Sequence, residues 1–537
     1  MTTPLTLEPP HAPSAQPWPR LLGRLSAPVV VAAGFFLVLC VAVLTKTTAL
    51  LEPDDYAYRA SIAALLDGHL WLTNSQYLAL SNHLSIGSGG HGVGIMQWVH
   101  RSNGTWISEK NPGYPFFVAP FSWLGIERIA PLFYGGLASI SLYLGGSRWL
   151  GRWGGAAAVA LFCSSGAAMV FAWRATMPTF TDASMVAAGC GLLLWTVLAV
   201  GNSPNHRTIV GLLAFFAFDS AMFIRYTNLV ALACAVGAVV LIWLFSRSTL
   251  PRRALPIWLA TQVAFAIFLV SLNDYLYGHF FSTGYATGEI TFSLGAFSGN
   301  LQTMPKNLLV SMPMIVVSGI ALIWLVVAAA VKKVHPDGST TARQDLWLGL
   351  GLAAVWLGIF GLYFFYDWTA HMGMGGPGGP GSSNWGNVHL IRFYLPAIGP
   401  VALLGAWLLV RIPPLLAAIV MVGLVVLGLF SFNAMASSGA LGGGPGGHGF
   451  ACGLPHGKFP SGFGRMPPNG GFPGGPGQMP PNGGFPRVGR NGSGPGSPMG
   501  FGLPPHDKAG MQRVFAGGFP QACVDHSTPP KSTSTAH

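Results

Sequence analysis

Residues 26–44 read SAPVVVAAGFFLVLCVAVL, a run without a single charged side chain. A helix rises about 1.5 Å per residue, so this run covers nearly the ~30 Å hydrocarbon core of a bilayer. The sequence after it shows no small-residue cleavage site with a soluble protein behind it. The run therefore predicts a membrane anchor rather than a removed signal peptide.

Similar apolar runs recur along the next 390 or so residues. They lie near 128–147, 154–172, 181–200, 208–224, 228–245, 255–272, 308–331, 346–365, 393–410 and 412–432. Together with 26–44 they predict about 11 transmembrane helices, an all-α polytopic membrane protein. Hydrophobic residues make up 51% of the 537, which excludes an ordinary soluble domain. The net charge of +12 comes from scattered cations, a pattern typical of topology signals, and predicts no nucleic-acid partner.

The distribution of Lys and Arg predicts the topology. Cations are denser in the short segments on one side of the predicted spans, which makes that side cytoplasmic and places the N-terminus there. Three regions follow: a disordered cytoplasmic arm over 1–25, a transmembrane domain over 26–438 and an extracytoplasmic tail over 439–537. The first extracytoplasmic loop, 46–127, is expected to carry juxtamembrane helices. The tail is so rich in Gly and Pro that disorder is predicted.

The first loop contains most of the polar chemistry near the membrane. Asp54 and Asp55 follow the first span, and Lys110 precedes the second. Three further cations, Arg174, Arg225 and Arg392, lie at the predicted outer ends of later spans. Singly, an arginine at such a position snorkels to lipid phosphate. Several cations on one face predict an anion site, which suits the phosphate leaving group of a polyprenyl-linked sugar.

The order of these motifs resembles the GT-C superfamily of membrane glycosyltransferases, which are mannosyltransferase-like and use polyprenyl- or dolichyl-phosphate sugars. The resemblance covers residues 26–432. It rests on the Asp54-Asp55-Tyr56 pair and on four further segments. These segments are 110–115 (KNPGYP), 225–228 (RYTN), 273–285 (NDYLYGHFFSTGY) and 392–396 (RFYLP).

The resemblance implies a role for each matching residue. Asp54 would be the general base on the acceptor hydroxyl, with inversion at the sugar, and Asp55 would be the second choice or a metal or acceptor ligand. Lys110 with Arg225 or Arg392 would neutralise the phosphate that leaves. Together with the outer-end cations, the candidate substrate-binding residues are Lys110, Tyr114, Arg174, Arg225, Tyr226, Asn228, Tyr285 and Arg392. No metal ligand set is predicted, although a divalent metal remains compatible with the resemblance. The expected partners are a polyprenyl-phosphate sugar, an acceptor of unspecified class and membrane lipid.

Three alternatives stay open from the sequence. Asp54 could simply cap a helix that lies on the membrane. A transporter or flippase would need ionisable groups within the spans, and Asp219 is the main one. A non-catalytic membrane protein that presents the Gly/Pro-rich tail would explain the tail but not the polar motifs at the outer ends of the spans.

Overall fold

The computed structural model describes residues 26–46, 53–84, 97–101, 103–199, 201–245, 253–285, 290–334, 340–374, 388–437 and 511–513. The predicted N-terminal arm over 1–25 and most of the predicted tail lie outside these residues. The helices before residue 200 are α1 (Ala27–Leu44), α2 (Pro53–Leu66), α3 (Asn74–Leu84), α4 (Gly113–Trp123), α5 (Ile129–Cys163), α6 (Gly166–Trp173) and α7 (Thr179–Leu198). The later helices are α8 (Pro204–Ile224), α9 (Leu229–Phe245), α10 (Ala254–Tyr277), α11 (Leu294–Ser311), α12 (Met314–Val334), α13 (Thr340–Phe364), α14 (Asp367–Met374), α15 (Val388–Ile391), α16 (Ile398–Leu409) and α17 (Pro414–Ser437).

Nine helices in the described part of the chain are long and apolar enough to cross a membrane. They are α1, α5, α7, α8, α9, α10, α12, α13 and α17. The predicted fold class, a helical protein with many membrane spans, is confirmed. The predicted number of eleven spans is not confirmed. Helix α5 covers one predicted span and part of the next, and α16 is too short to be counted as a span.

Helix α5 is a hairpin of two antiparallel helical segments. Gly151 has φ 79° and ψ 170°, far from helical values, and glycine adopts a positive φ at little cost. A Cβ atom on Gly155 would lie 2.5 Å from the carbonyl oxygen of Tyr143. A straight helix would separate these residues by about 18 Å. The chain therefore turns back at Gly151, between the predicted spans 128–147 and 154–172.

Helix α16 is the other reason why fewer than eleven spans are counted. Its 12 residues rise only about 18 Å, less than the thickness of the hydrocarbon core. All of them are buried, so α16 is surrounded by other helices. A 3-10 turn over Leu395–Ala397 precedes it.

The outer helices present apolar side chains to their surroundings. Leu37 on α1, Val263 on α10, Ile323 on α12 and Val422 on α17 are each at least 60% exposed. A continuous apolar surface of this kind is unfavourable in water and matches the interior of a bilayer. Helix α7, in contrast, is buried along nearly its whole length at the centre of the bundle.

The predicted first loop folds into helices and a small sheet. Strands β1 (Trp71–Thr73), β2 (Trp98–Arg101) and β3 (Thr105–Ser108) are antiparallel, with β3 in the middle. The expected juxtamembrane helices are present as α2, α3 and α4, whereas the strands are too short to show a period in the sequence. Of the tail, the structure describes β4 (Met511–Arg513), which pairs with the free edge of β2.

Contacts between distant chain segments mark the two ends of the helix bundle. At one end, Tyr277 of α10 donates a hydrogen bond of 3.2 Å to the carbonyl of Ser108 at the end of β3. At the other end, Arg411 forms a 2.6 Å ion pair with Asp345, which also accepts a hydrogen bond from Trp149. Which end faces the cytoplasm stays a prediction.

Candidate active site

The site is built around the first turn of α2, where Asp54 and Asp55 are adjacent. Carboxylates are favourable in the first turn of a helix because the N-terminus carries a partial positive charge. Consecutive residues on a helix point about 100° apart, so neighbouring side chains meet different partners. The two aspartates accordingly belong to two separate ion-pair groups.

Asp54 contacts two cations that come from opposite ends of the sequence. Its Oδ1 lies 3.0 Å from Nζ of Lys110, and its Oδ2 lies 2.6 Å from Nη1 of Arg392. All three residues are buried, with 8% of each exposed. The predicted general base and two predicted phosphate ligands therefore lie in one cluster.

Asp55 is held on the other side of α2. Its Oδ2 lies 2.5 Å from Nη2 of Arg174, and its Oδ1 accepts a 2.7 Å hydrogen bond from Thr176. The side chains of Asp55 and Arg174 are at most 1% exposed. This pair ties α2 to the α6–α7 turn, a geometry that suits a structural ion pair more than a second base.

Arg225 is placed by contacts to three segments. Its Nε lies 3.3 Å from Oδ2 of Asp182, at the start of α7. Its Nη2 donates to the hydroxyl of Thr179 at 3.2 Å, and its Nη1 donates to the backbone carbonyl of Arg392 at 3.1 Å. Burial has the largest single effect and lowers the pKa of this guanidinium, but Asp182 and the nearby tyrosines together raise the pKa above its usual value. Arg225 therefore stays charged and fixes the main chain that carries Arg392.

Lys110 is fixed by Tyr285 as well as by Asp54. Its Nζ donates to the Tyr285 hydroxyl at 3.1 Å and lies 5.1 Å from the ring centroid. Burial has the largest single effect and lowers the pKa of this ammonium, but Asp54, Tyr285 and Tyr58 together raise the pKa above its usual value, so Lys110 remains a cation. The two segments approach closely, since a Cβ on Gly284 would lie 2.0 Å from the Cα of Glu109.

Three other predicted substrate ligands use their polar groups within the protein. Tyr226 donates to the side-chain oxygen of Asn273 at 2.7 Å. Asn228 donates to the carbonyl of Ala221 at 2.9 Å, and Tyr114 donates to the carbonyl of Ala175. These three side chains hold the chain segments around the cluster together, and their polar groups are engaged by protein atoms.

The structure adds four residues to the cluster that were not predicted from the sequence. Asp182 pairs with Arg225, and Trp368 and Phe393 place their rings 5.4 and 4.8 Å from the guanidinium carbon of Arg392. Tyr58 follows Asp54 by one helical turn, and burial raises the pKa of its phenol. The i, i+4 spacing of Asp54 and Tyr58 was a usable signal, whereas nothing local distinguished Asp182 from the first residues of a span.

The electrostatics of the cluster favour an anionic ligand. Three carboxylates contact four cations, which are Lys110, Arg174, Arg225 and Arg392. Each aspartate that a divalent metal would use is already bound to cations, so the residues present do not fit such a metal. Among the described residues, no group of three potential metal ligands is found. The chemistry supported here is binding of a phosphate beside a carboxylate.

Comparisons with known proteins concern the fold. The sequence matches no protein-family model and no curated protein. The structure is similar to ArnT from Cupriavidus metallidurans in the apo state (TM-score 0.45, 14% identity) and bound to undecaprenyl phosphate (0.44, 14%). It is also similar to the oligosaccharyltransferase of Archaeoglobus fulgidus (0.45, 12%). These alignments cover 78%, 77% and 78% of this chain, and 66%, 65% and 56% of the other chains. The chain thus spans less than two thirds of each of these proteins, and the similarity is one of overall fold.

Proposed function

We propose that this protein is a GT-C-type membrane glycosyltransferase that takes a sugar from a polyprenyl-phosphate donor. The observation that carries the proposal is the contact of Asp54 with both Lys110 and Arg392 at the end of a membrane helix bundle. Transfer of a sugar from phosphate to a hydroxyl needs a general base for the hydroxyl proton and cations that stabilise the leaving phosphate.

In the proposed reaction, the acceptor hydroxyl oxygen attacks the anomeric carbon from the face opposite the phosphate. The bond from that carbon to the phosphate oxygen breaks, and its electron pair leaves with the polyprenyl phosphate. The acceptor proton passes to the Asp54 carboxylate as the new carbon–oxygen bond forms, so the configuration at the sugar is inverted. Lys110 and Arg392 stabilise the negative charge that develops on the phosphate.

The position of the cluster suits a lipid-linked donor. The exposed apolar side chains of α1, α10 and α12 border the bilayer, so a polyprenyl tail can stay in lipid while its phosphate reaches the cations. By the distribution of cations in the sequence, this end faces outward and the acceptor is an extracytoplasmic lipid, glycan or protein. The cytoplasmic N-terminus and extracytoplasmic tail belong to the same proposal.

A transporter is less well supported than a glycosyltransferase. It would depend on ionisable groups within the spans, of which Asp219 is the main candidate. In the structure Asp219 is buried and accepts a 3.1 Å hydrogen bond from Gln262 of α10. This helix–helix contact accounts for Asp219 without a transport pathway.

The test is turnover of polyprenyl-phosphate sugars by the purified protein, measured as release of polyprenyl phosphate. Asp54→Asn keeps the size of the side chain but removes the base, so we expect turnover to fall about 100- to 10,000-fold. Asp345→Asn is the matched control, because this aspartate is also paired with an arginine but lies at the opposite end of the bundle. Undiminished turnover by the Asp54→Asn variant, with the parent active, would refute Asp54 as the base.

A further inference from the structure

Both carboxylate oxygens of Asp54 are engaged by cations, one by Lys110 and the other by Arg392. The same two cations are the ones that the proposed donor phosphate needs. A carboxylate and the phosphodiester of the proposed donor each present two neighbouring oxygens that share a negative charge, which is why the same cations bind both groups. The Asp54 carboxylate therefore occupies the position between the two cations that the donor phosphate would take.

The two cations are held by contacts other than Asp54. Lys110 donates to the hydroxyl of Tyr285, and the Arg392 guanidinium lies over the rings of Trp368 and Phe393. The backbone carbonyl of Arg392 is fixed by a hydrogen bond from Arg225. An anion that replaced Asp54 would find the cations already in place, and only rotation of one short side chain would be required.

We propose that Asp54 is an internal counter-anion that the donor phosphate displaces, so that donor binding releases the base for the acceptor. This inference rests on the proposed function. While Lys110 and Arg392 hold its two oxygens, Asp54 is poorly placed to accept a proton from an acceptor hydroxyl. Once the phosphate takes over these cations, the carboxylate turns toward the acceptor. The donor consequently binds first and the acceptor second.

The exchange also has an electrostatic reason. The anionic donor phosphate and Asp54 cannot both lie against the same two cations without repulsion, because like charges a few ångströms apart in a poorly solvated site repel strongly. The departure of polyprenyl phosphate after transfer would return Asp54 to Lys110 and Arg392. After transfer Asp54 carries the proton of the acceptor; once this proton passes to water, the restored carboxylate competes with the phosphate for both cations and helps to release the product.

The experiment measures the affinity of unglycosylated polyprenyl phosphate for the full-length protein in detergent. Asp54→Asn removes the competing charge, so we expect this variant to bind the probe about tenfold or more tightly than the parent, the range expected for one charged hydrogen bond. Asp54→Ala serves as a second variant, and thermal unfolding shows that each variant is folded. The control Asp345→Asn is expected to bind like the parent.

The outcomes separate the two proposals. Equal or weaker binding by both Asp54 variants, with clear binding by the parent, would overturn displacement and leave the glycosyltransferase proposal intact. Absence of binding by the parent and by the Asp54 variants would instead overturn the proposed function, and the inference with it. Tighter binding together with lost turnover would support both, because a residue that only stabilised the fold would not improve ligand affinity when its charge is removed.

Discussion

The same substitution should affect different properties at the two adjacent aspartates. Asp55→Asn removes the charge from a pair whose side chains are at most 1% exposed, and leaves the Arg174 guanidinium without its carboxylate in a buried site. Removal of one partner from a buried ion pair costs about 3–5 kcal/mol. We therefore expect Asp55→Asn to lower the unfolding temperature clearly, whereas Asp54→Asn mainly lowers turnover.

The assay is thermal unfolding in detergent, followed by intrinsic fluorescence at matched protein concentration. A double variant, Asp55→Asn with Arg174→Met, removes both charges and should recover much of the lost stability, because no uncompensated charge is left in the buried site. Asp345→Asn serves as a control with a more exposed partner, since the Arg411 side chain is 32% exposed, and its loss should be smaller. Parent-like unfolding of Asp55→Asn would refute a structural role for this pair.

Two further predictions concern residues that position the cations. Asp182→Asn removes the carboxylate that contacts Nε of Arg225, so we expect weaker binding of polyprenyl phosphate, by about tenfold, which Asp182→Glu should partly restore. Gly284→Ala would place a Cβ 2.0 Å from the Cα of Glu109, which main-chain atoms cannot accommodate without moving. The Gly284→Ala change should separate Tyr285 from Lys110 and reduce turnover. Gly278→Asn is the control and should be tolerated, because this glycine has a positive φ and open space around it. Equal effects of the two changes on turnover would contradict this prediction.

The membrane fold was predictable because its signal is local. A run such as 26–44 predicts a helix that crosses a bilayer by its length and lack of charge, and α1 spans nearly the same residues. The same logic failed at α16, where burial among other helices, not lipid thickness, set the length. The three- and four-residue strands of the first loop were too short to give a periodic pattern.

The grouping of the polar residues was partly predictable from topology. Counting spans places Asp54, Lys110, Arg225 and Arg392 at the same end of the bundle, and the structure brings them to that end. The resemblance to a known superfamily drew attention to the same positions. Neither source distinguishes one aspartate from its neighbour, since both lie in the first turn of α2.

The sequence by itself determined that this is a helical membrane protein with acids and cations at one end of its spans. Only the tertiary structure decided the pairing, with Asp54 against Lys110 and Arg392, and Asp55 against Arg174. Asp54 and Arg392 are 338 positions apart, so no local pattern links them. Ion pairs form between side chains whose helix faces meet, and the packing of the whole bundle determines which faces do.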